Sequence, residues 1–132
     1  MMYSILVVED NTPTRLILNS IFQNAGYQVT TASDGVEALA QLGEQHFDLV
    51  ISDLQMPNMD GLAFARELRS RQAYAHTPFI MLTTQTSKSI REQGAAADVH
   101  VWIMKPLNPE ALVDNVNTLL RISKSSYAKN AT

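Results

Sequence analysis

Six side chains that could do chemistry stand where short apolar runs of the sequence end. In chain order they are Glu9, Asp10, Asp53, Thr83, Thr84 and Lys105. Three carboxylates brought close together would repel one another, and a hard divalent cation would offset their charge. Oxygen ligands of this kind suit Mg²⁺, which accepts one or two carboxylates together with water and phosphoryl oxygens.

Asp53 is the predicted nucleophile of this group, because it holds the central position among the apolar runs. A carboxylate beside Mg²⁺ and an ammonium group can attack a phosphoryl group, since the two cations offset the charge on its oxygens. We expect Glu9 and Asp10 to hold the metal and Lys105 to supply the ammonium. The three histidines lie in separate elements and the chain has no cysteine, so neither residue type shows a transition-metal spacing.

Alternating strand and helix patterns must bring these side chains together. Apolar runs rich in β-branched residues predict five strands, near residues 3–8, 28–32, 47–52, 79–82 and 99–104. Apolar residues at helical spacing predict five helices, near residues 13–25, 34–42, 60–68, 87–97 and 109–122. The alternation predicts an α/β fold with a doubly wound, five-stranded parallel sheet. All strands of such a sheet end at one edge, so the chemical side chains should meet there.

Composition limits the class of protein. The 132 residues predict one domain, residues 1–122, followed by a polar tail or truncated linker at 123–132. The net charge is −3 and no segment gathers Lys and Arg into a stripe, which argues against a nucleic-acid-binding surface in this chain. The chain shows no secretory signal and no apolar run of the ~20 residues that a membrane helix needs. We therefore expect a cytoplasmic protein without membrane contact.

Five sequence stretches together resemble the receiver domain of response regulators, the phosphorylatable module of two-component signalling, and especially its single-domain chemotaxis type. These stretches are "ILVVEDN" at 5–11, "SDGVEAL" at 33–39, "DLVISDLQMPNMDGL" at 48–62, "PFIMLTTQ" at 78–85 and "WIMKPL" at 102–107. Any one of them would be weak evidence, but all five occur in order across nearly the whole chain. The resemblance implies a flavodoxin-like (βα)5 fold with strand order 2-1-3-4-5.

The resemblance also implies roles for individual residues. Asp53 would accept a phosphoryl group from the phosphohistidine of a sensor histidine kinase or a phosphotransfer protein. The implied Mg²⁺ ligands are Asp53, Asp10, the main-chain carbonyl of Gln55 and, often through water, Glu9. Thr83 would donate its hydroxyl to the phosphoryl group, and Lys105 would pair with it. Such a protein is a phosphoacceptor with slow self-hydrolysis, and we do not expect an enzyme in the usual sense.

The same resemblance implies a conformational switch on phosphorylation. Phosphorylation adds about two negative charges at Asp53. Thr83 would move toward them, and Trp102 would rotate from an exposed to an inward position. The face formed by the fourth helix, fifth strand and fifth helix would then change for a downstream protein target. The Lys105-Pro106 peptide is expected to be cis, as is common in this family.

The chain departs from the family pattern at two places near that face. Asp98-Val99 stands where the family usually has Gly-Ala, and Asp adopts a left-handed helix cap less readily than Gly. Val101 precedes Trp102 where a small or polar residue is more usual. Both changes bear on the choice of partner and on the amplitude of the switch.

Other interpretations remain open at this point. Asp53 alone would be read as a turn-former or helix cap, Thr84 could replace Thr83 as the switch hydroxyl, and Trp102 could be a packed side chain that does not move. A small flavin- or nucleotide-binding enzyme on the same layout would need a Ser-, Thr- and Gly-rich phosphate loop, where this chain has Glu9-Asp10-Asn11. A receiver that acts by binding alone is the third alternative, and intact Asp53, Thr83 and Lys105 argue against it.

Overall fold

The computed structural model describes the backbone of residues 2–131 and the side chains of residues 2–121. Five strands and five helices alternate along it. The strands are β1 (Ser4–Val8), β2 (Gln28–Ala32), β3 (Leu49–Asp53), β4 (Phe79–Thr83) and β5 (Val101–Met104). The helices are α1 (Thr12–Asn24), α2 (Gly35–Leu42), α3 (Gly61–Arg69), α4 (Lys88–Ala96) and α5 (Pro109–Ala131), with a short 3₁₀ turn at Gln72–Tyr74.

The strands form one parallel sheet in the order β2-β1-β3-β4-β5. Chain order and spatial order differ because the connection through α2 carries the chain from β2 past β1, so that β3 pairs with β1 on its other side. The predicted flavodoxin-like, doubly wound fold is therefore confirmed.

Both faces of the sheet are buried, which explains why its central strands are continuously apolar. On β1, Leu6 and Val8 face the layer that contains α2 and α3, whereas Ile5 and Val7 face the layer that contains α1 and α5. Alternate residues of a strand point to opposite faces, so one short run supplies two cores.

A polar residue precedes each of the five helices and caps it. The side chains of Asn11, Asp34, Asp60, Ser87 and Asn108 each accept a hydrogen bond from a main-chain N–H three residues on. These caps satisfy amide groups that the first helical turn leaves without partners. At the far end of α1, Gly26 has φ = 94°, a conformation that glycine adopts without steric cost.

Several boundaries differ from the prediction. β3 begins at Leu49 rather than residue 47 and includes Asp53, which pairs with Leu82 in the ladder. β5 begins at Val101 rather than residue 99, because Asp98 has φ = 59° and the N–H of Val99 still bonds to a carbonyl of α4. The backbone of α5 continues to Ala131, whereas the sequence predicts no regular structure after residue 122. The domain boundary near residue 122 stays a prediction, and the side chains beyond it lie outside the described residues.

None of the described helices combines the length and the apolar character that crossing a bilayer requires.

Candidate functional site

Three carboxylates meet at the carboxyl-terminal edge of the sheet, as the sequence predicts. Glu9 and Asp10 follow the last residue of β1, and Asp53 ends the neighbouring strand β3. One oxygen from each lies within 4.8 Å of the others. Glu9 and Asp53 are only 1% and 7% exposed, whereas Asp10 is exposed at the mouth of the site. The cluster is therefore negatively charged, largely buried and open on one side.

Lys105 places its ammonium group between two of these carboxylates. Its Nζ lies 3.3 Å from Glu9 Oε2 and 3.2 Å from Asp53 Oδ1. The main-chain N–H of Lys105 donates to the carbonyl of Thr83, and the peptide to Pro106 is cis, as the resemblance implies. The Lys105 side chain therefore reaches from the end of β5 to carboxylates at the ends of β1 and β3.

The titration behaviour of the cluster follows from burial and crowding. Burial raises the pKa of Asp53 above its ordinary value of 3.8, Lys105 opposes the shift and Asp10 adds to it. The pKa of Glu9 is raised by burial and by the charge of Asp53. Burial alone would lower the pKa of Lys105, but Glu9 and Asp53 outweigh it and raise that pKa. The single positive charge of Lys105 does not balance the negative charge of the carboxylates. A further cation bound there would therefore stabilise their charged forms.

Thr83, and not its neighbour Thr84, is the hydroxyl on the inner side of this edge. Thr83 is 2% exposed and closes the ladder of β4, whereas Thr84 is exposed. The Thr83 hydroxyl donates to the carbonyl of Gln85 and accepts from its main-chain N–H. The hydroxyl is therefore held by the β4–α4 loop.

Gln55 lies exposed in the loop that leaves Asp53. The base of this loop is closed by two main-chain bonds, from Leu54 N–H to the Leu82 carbonyl and from Gly61 N–H to the Leu54 carbonyl, both 2.8 Å long. A Cβ on Gly61 would lie 2.5 Å from the Asp53 carbonyl oxygen, so only glycine fits there. No pattern in the sequence reveals this contact of Gly61 with the site.

Arg15 is a second residue that sequence reasoning misses. Its guanidinium donates to the carbonyl of Glu9 at 2.8 Å and to that of Asp10 at 3.4 Å. The Asn11 N–H also donates to the Glu9 carboxylate at 3.2 Å. These bonds hold the acidic turn against the start of α1. The sequence signal for this contact is a cation five residues after the second member of an acidic pair.

Trp102 lies partly buried on β5, on the face of the sheet that α4 covers. Its ring packs directly against α4, and a Cβ on Gly94 would lie 2.5 Å from the ring atom Cζ2. The resemblance implies a ring that turns from exposed to inward on phosphorylation, and that movement stays a prediction. In the structure the ring is half-buried against α4, where Gly94 leaves room for the indole.

The donor set fits a hard divalent cation. The carboxylates of Glu9, Asp10 and Asp53 supply oxygen only, and no histidine of the described residues joins them. The raised pKa values of Glu9 and Asp53 reflect the cost of keeping buried negative charge, which a bound cation would reduce.

The comparisons with known proteins agree on one family. The family described as the response regulator receiver domain matches residues 5–117. Transcriptional regulatory protein ResD of Bacillus subtilis (strain 168) is 38% identical over 124 residues, which are 93% of this chain and 50% of ResD. The chain spans only 10% to 52% of the length of its curated relatives.

Solved structures agree as well. Chemotaxis protein CheY4 of Vibrio cholerae has a TM-score of 0.87 and 39% sequence identity, covering 90% of this chain and 99% of that one. The receiver domain of sensor histidine kinase PA1611 from Pseudomonas aeruginosa PAO1, described with a magnesium ion coordinated in its active site cleft, has a TM-score of 0.82 and 27% identity over 91% of this chain and 98% of that one. Fold, site and sequence thus lead to the same conclusion: the chain belongs to the response regulator receiver domain family of two-component signalling.

Proposed function

We propose that Asp53 accepts a phosphoryl group from the phosphohistidine of a sensor histidine kinase or a phosphotransfer protein, with Mg²⁺ as the required cofactor. The observation that carries this proposal is the single cluster in which Asp53, two further carboxylates and the Lys105 ammonium lie within contact distance. A nucleophilic carboxylate needs positive charge beside it when it approaches a phosphoryl group, and this edge of the sheet supplies one cation and the ligands for another.

The transfer is a displacement at phosphorus. An Asp53 carboxylate oxygen forms a bond to phosphorus while the phosphorus–nitrogen bond of the donor breaks. The electron pair of that bond stays on the imidazole nitrogen of the donor, which takes up a proton from water. The product is an acyl phosphate on Asp53, and later attack of water on phosphorus releases inorganic phosphate and restores the carboxylate. The protein is therefore a phosphoacceptor with slow self-hydrolysis and not an ordinary enzyme.

Each neighbour of Asp53 has a part in this proposal. Asp10, Asp53, the main-chain carbonyl of Gln55 and, through water, Glu9 would hold Mg²⁺, which when bound neutralises charge on the phosphoryl oxygens. Lys105 lies near enough to Asp53 to pair with the same group. The Thr83 hydroxyl would exchange its bond to the loop carbonyl for one to a phosphoryl oxygen.

The output would pass through the face formed by α4, β5 and α5. The loop between Thr83 and α4 couples the site to that face, and Trp102 lies under α4. A shallow groove of about 580 Å³ at the start of α4 is lined by Thr86, Ser87, Lys88, Arg91, Glu92 and Ala95. A downstream protein would dock there once the loop has moved. A cytoplasmic location belongs to the same proposal.

A mass measurement tests the proposal. Incubation with Mg²⁺ and acetyl phosphate should add the mass of one phosphoryl group to the intact protein, and Asp53→Asn or an excess of EDTA should abolish the gain. Asp60→Asn is the matched control, because it changes a carboxylate of the same loop and leaves a residue that caps α3 equally well. No gain in the wild-type protein would overturn the proposal and favour a receiver that acts by binding alone.

A further inference from the structure

One side-chain contact ties the loop between β3 and α3 to another element. The Nδ2 group of Asn58 donates to Asp34 Oδ2 at 2.8 Å. Asp34 is the N-cap of α2 and uses its other oxygen, Oδ1, to accept from the Glu37 N–H at 2.8 Å. Among the hydrogen bonds of the described residues, this is the only one that joins residues 55–59 to another element.

The backbone of the loop adopts a strained conformation at Asn58. Asn58 has φ = 68°, and the N–H of Met59 donates to the carbonyl of Pro57 at 2.7 Å, so Asn58 is the centre of a tight three-residue turn. Asn tolerates this region better than most residues, but glycine would adopt it more easily. The Met59 side chain also lies over Gly35, where a Cβ would be 2.8 Å from Met59 Cγ. Both contacts are with the start of α2.

This shape matters because main-chain hydrogen bonds fix the base of the loop, whereas its middle is attached to the rest of the protein through side chains. Leu54 is bonded on both sides, to Leu82 and to Gly61. Gln55 follows directly, and its main-chain carbonyl is the one metal ligand expected from the loop. A carbonyl has no rotamers of its own, so its direction is decided by the path of the backbone toward Asn58.

We propose that the hydrogen bond between Asn58 and Asp34 is a positioning contact, which holds the loop so that the Gln55 carbonyl faces the metal. This inference rests on the proposed function of the site, since it assigns residues to the binding of its Mg²⁺. Asn58 and Asp34 touch neither the metal nor the phosphoryl group. They act through the backbone, as groups around metal ligands commonly do.

Exchanging the two side chains separates the hydrogen bond from charge and from shape. Asn58→Asp sets two carboxylates against each other and breaks the hydrogen bond. Asp34→Asn removes one charge but keeps a hydrogen bond, because its new NH2 group donates to the side-chain oxygen of Asn58 once the Asn58 amide turns over. In the double variant Asp34→Asn with Asn58→Asp, the new amide at position 34 donates to the new carboxylate at position 58, and the net charge equals that of the wild type. Asn caps a helix as well as Asp does, so α2 keeps its cap in the double variant.

Isothermal titration of the unphosphorylated proteins with Mg²⁺ measures the effect directly. Asn58→Asp should raise the Kd roughly fivefold, the value of one ordinary hydrogen bond, and the double variant should restore it. Asp34→Asn, which keeps a hydrogen bond and removes a charge, is the control for charge alone. Simple electrostatics predicts a lower Kd for Asn58→Asp, because an added negative charge near the site attracts the cation. Asn58→Asp with the wild-type Kd, or a double variant that binds no better than Asn58→Asp, would overturn the proposal.

Asn58→Gly excludes a merely structural role. This substitution removes the amide and also relieves the positive φ, so the free energy of unfolding in EDTA should be unchanged or higher while the Kd for Mg²⁺ still rises. A Kd equal to that of the wild type would contradict the positioning role. The proposed function fails separately: wild-type protein that binds no Mg²⁺ and gains no phosphoryl mass defeats it, whereas phosphorylated variants with unchanged Kd defeat only the present inference.

Discussion

At the scale of single residues, the site places more negative charge in a buried pocket than its own cation balances. Lys105 contacts Glu9 and Asp53, while Asp10 stands at the mouth of the pocket. The raised pKa values of Glu9 and Asp53 show that the folded protein disfavours their charged forms. Such an arrangement costs stability, and the proposed reaction would account for it because that reaction requires a charged carboxylate.

Replacing Asp53 should therefore stabilise the metal-free protein. Asp53→Asn keeps the shape and removes the repulsion with Glu9 and Asp10, so the free energy of unfolding at pH 7 in EDTA should rise by about 0.5–2 kcal/mol. An acid whose folded pKa is raised contributes stability at low pH that is lost as the pH rises through that pKa. The advantage of the variant should thus shrink as the pH falls toward 4. Urea unfolding of both proteins at several pH values measures this difference in the free energy of unfolding.

A loss of stability in Asp53→Asn would contradict this prediction. If Asp53→Asn were less stable than the wild type at pH 7 in EDTA, the ion pair of Asp53 with Lys105 would outweigh the crowding of the carboxylates. Asp60→Asn is again the control, since Asp60 is exposed and belongs to the same loop.

At the scale of elements, α4 is held at its end and contacted by an aromatic ring in its middle. Arg69 of α3 donates to the carbonyls of Ala97 and Asp98, which takes the place of a glycine cap at the end of α4. The Trp102 ring lies against Gly94. The position of α4 and the position of the ring are therefore not independent.

Gly94→Ala should expel the indole from its place under α4. Alanine favours the helix by about 1 kcal/mol over glycine, but its Cβ would overlap the ring. We expect the emission of Trp102, the only tryptophan of the chain, to shift to longer wavelength and its quenching by iodide to increase. Ala96→Ser on the exposed side of the helix should leave both unchanged. Emission identical to that of the wild type in Gly94→Ala would show that the helix yields instead of the ring.

At the scale of the whole molecule, the site joins two neighbouring strands at the middle of the sheet. Glu9 and Asp10 come from the end of β1, and Asp53 comes from β3. A ligand held by both strands exists only in the folded protein. Its binding is therefore coupled to global unfolding and not only to the order of a loop.

Mg²⁺ should consequently raise the free energy of unfolding of the entire domain. At a concentration 100 times its Kd, a ligand that binds only the folded state adds about 2.7 kcal/mol. Urea unfolding followed by far-ultraviolet circular dichroism should show this shift in the wild type and little of it in Asp10→Asn, which loses a ligand charge at the mouth of the site. A wild-type transition that Mg²⁺ leaves in place would contradict a site shared by β1 and β3.

The sequence by itself determined the elements, their order and the edge at which the chemistry lies. Apolar runs, helical spacing and the rule that parallel strands end together were enough to bring Glu9, Asp53, Thr83 and Lys105 to one place, because these are local or topological properties. The strand order came from the family resemblance and was confirmed.

Only the tertiary structure decided the contacts between side chains from distant parts of the chain. Lys105 between two carboxylates, Trp102 against Gly94, and Asn58 bonded to Asp34 each depend on rotamers and on the approach of separate elements. The same holds for the start of β5, which the left-handed conformation at Asp98 delays. Such contacts leave no periodic pattern in a sequence, since each involves one pair of residues that meet only after the chain has folded.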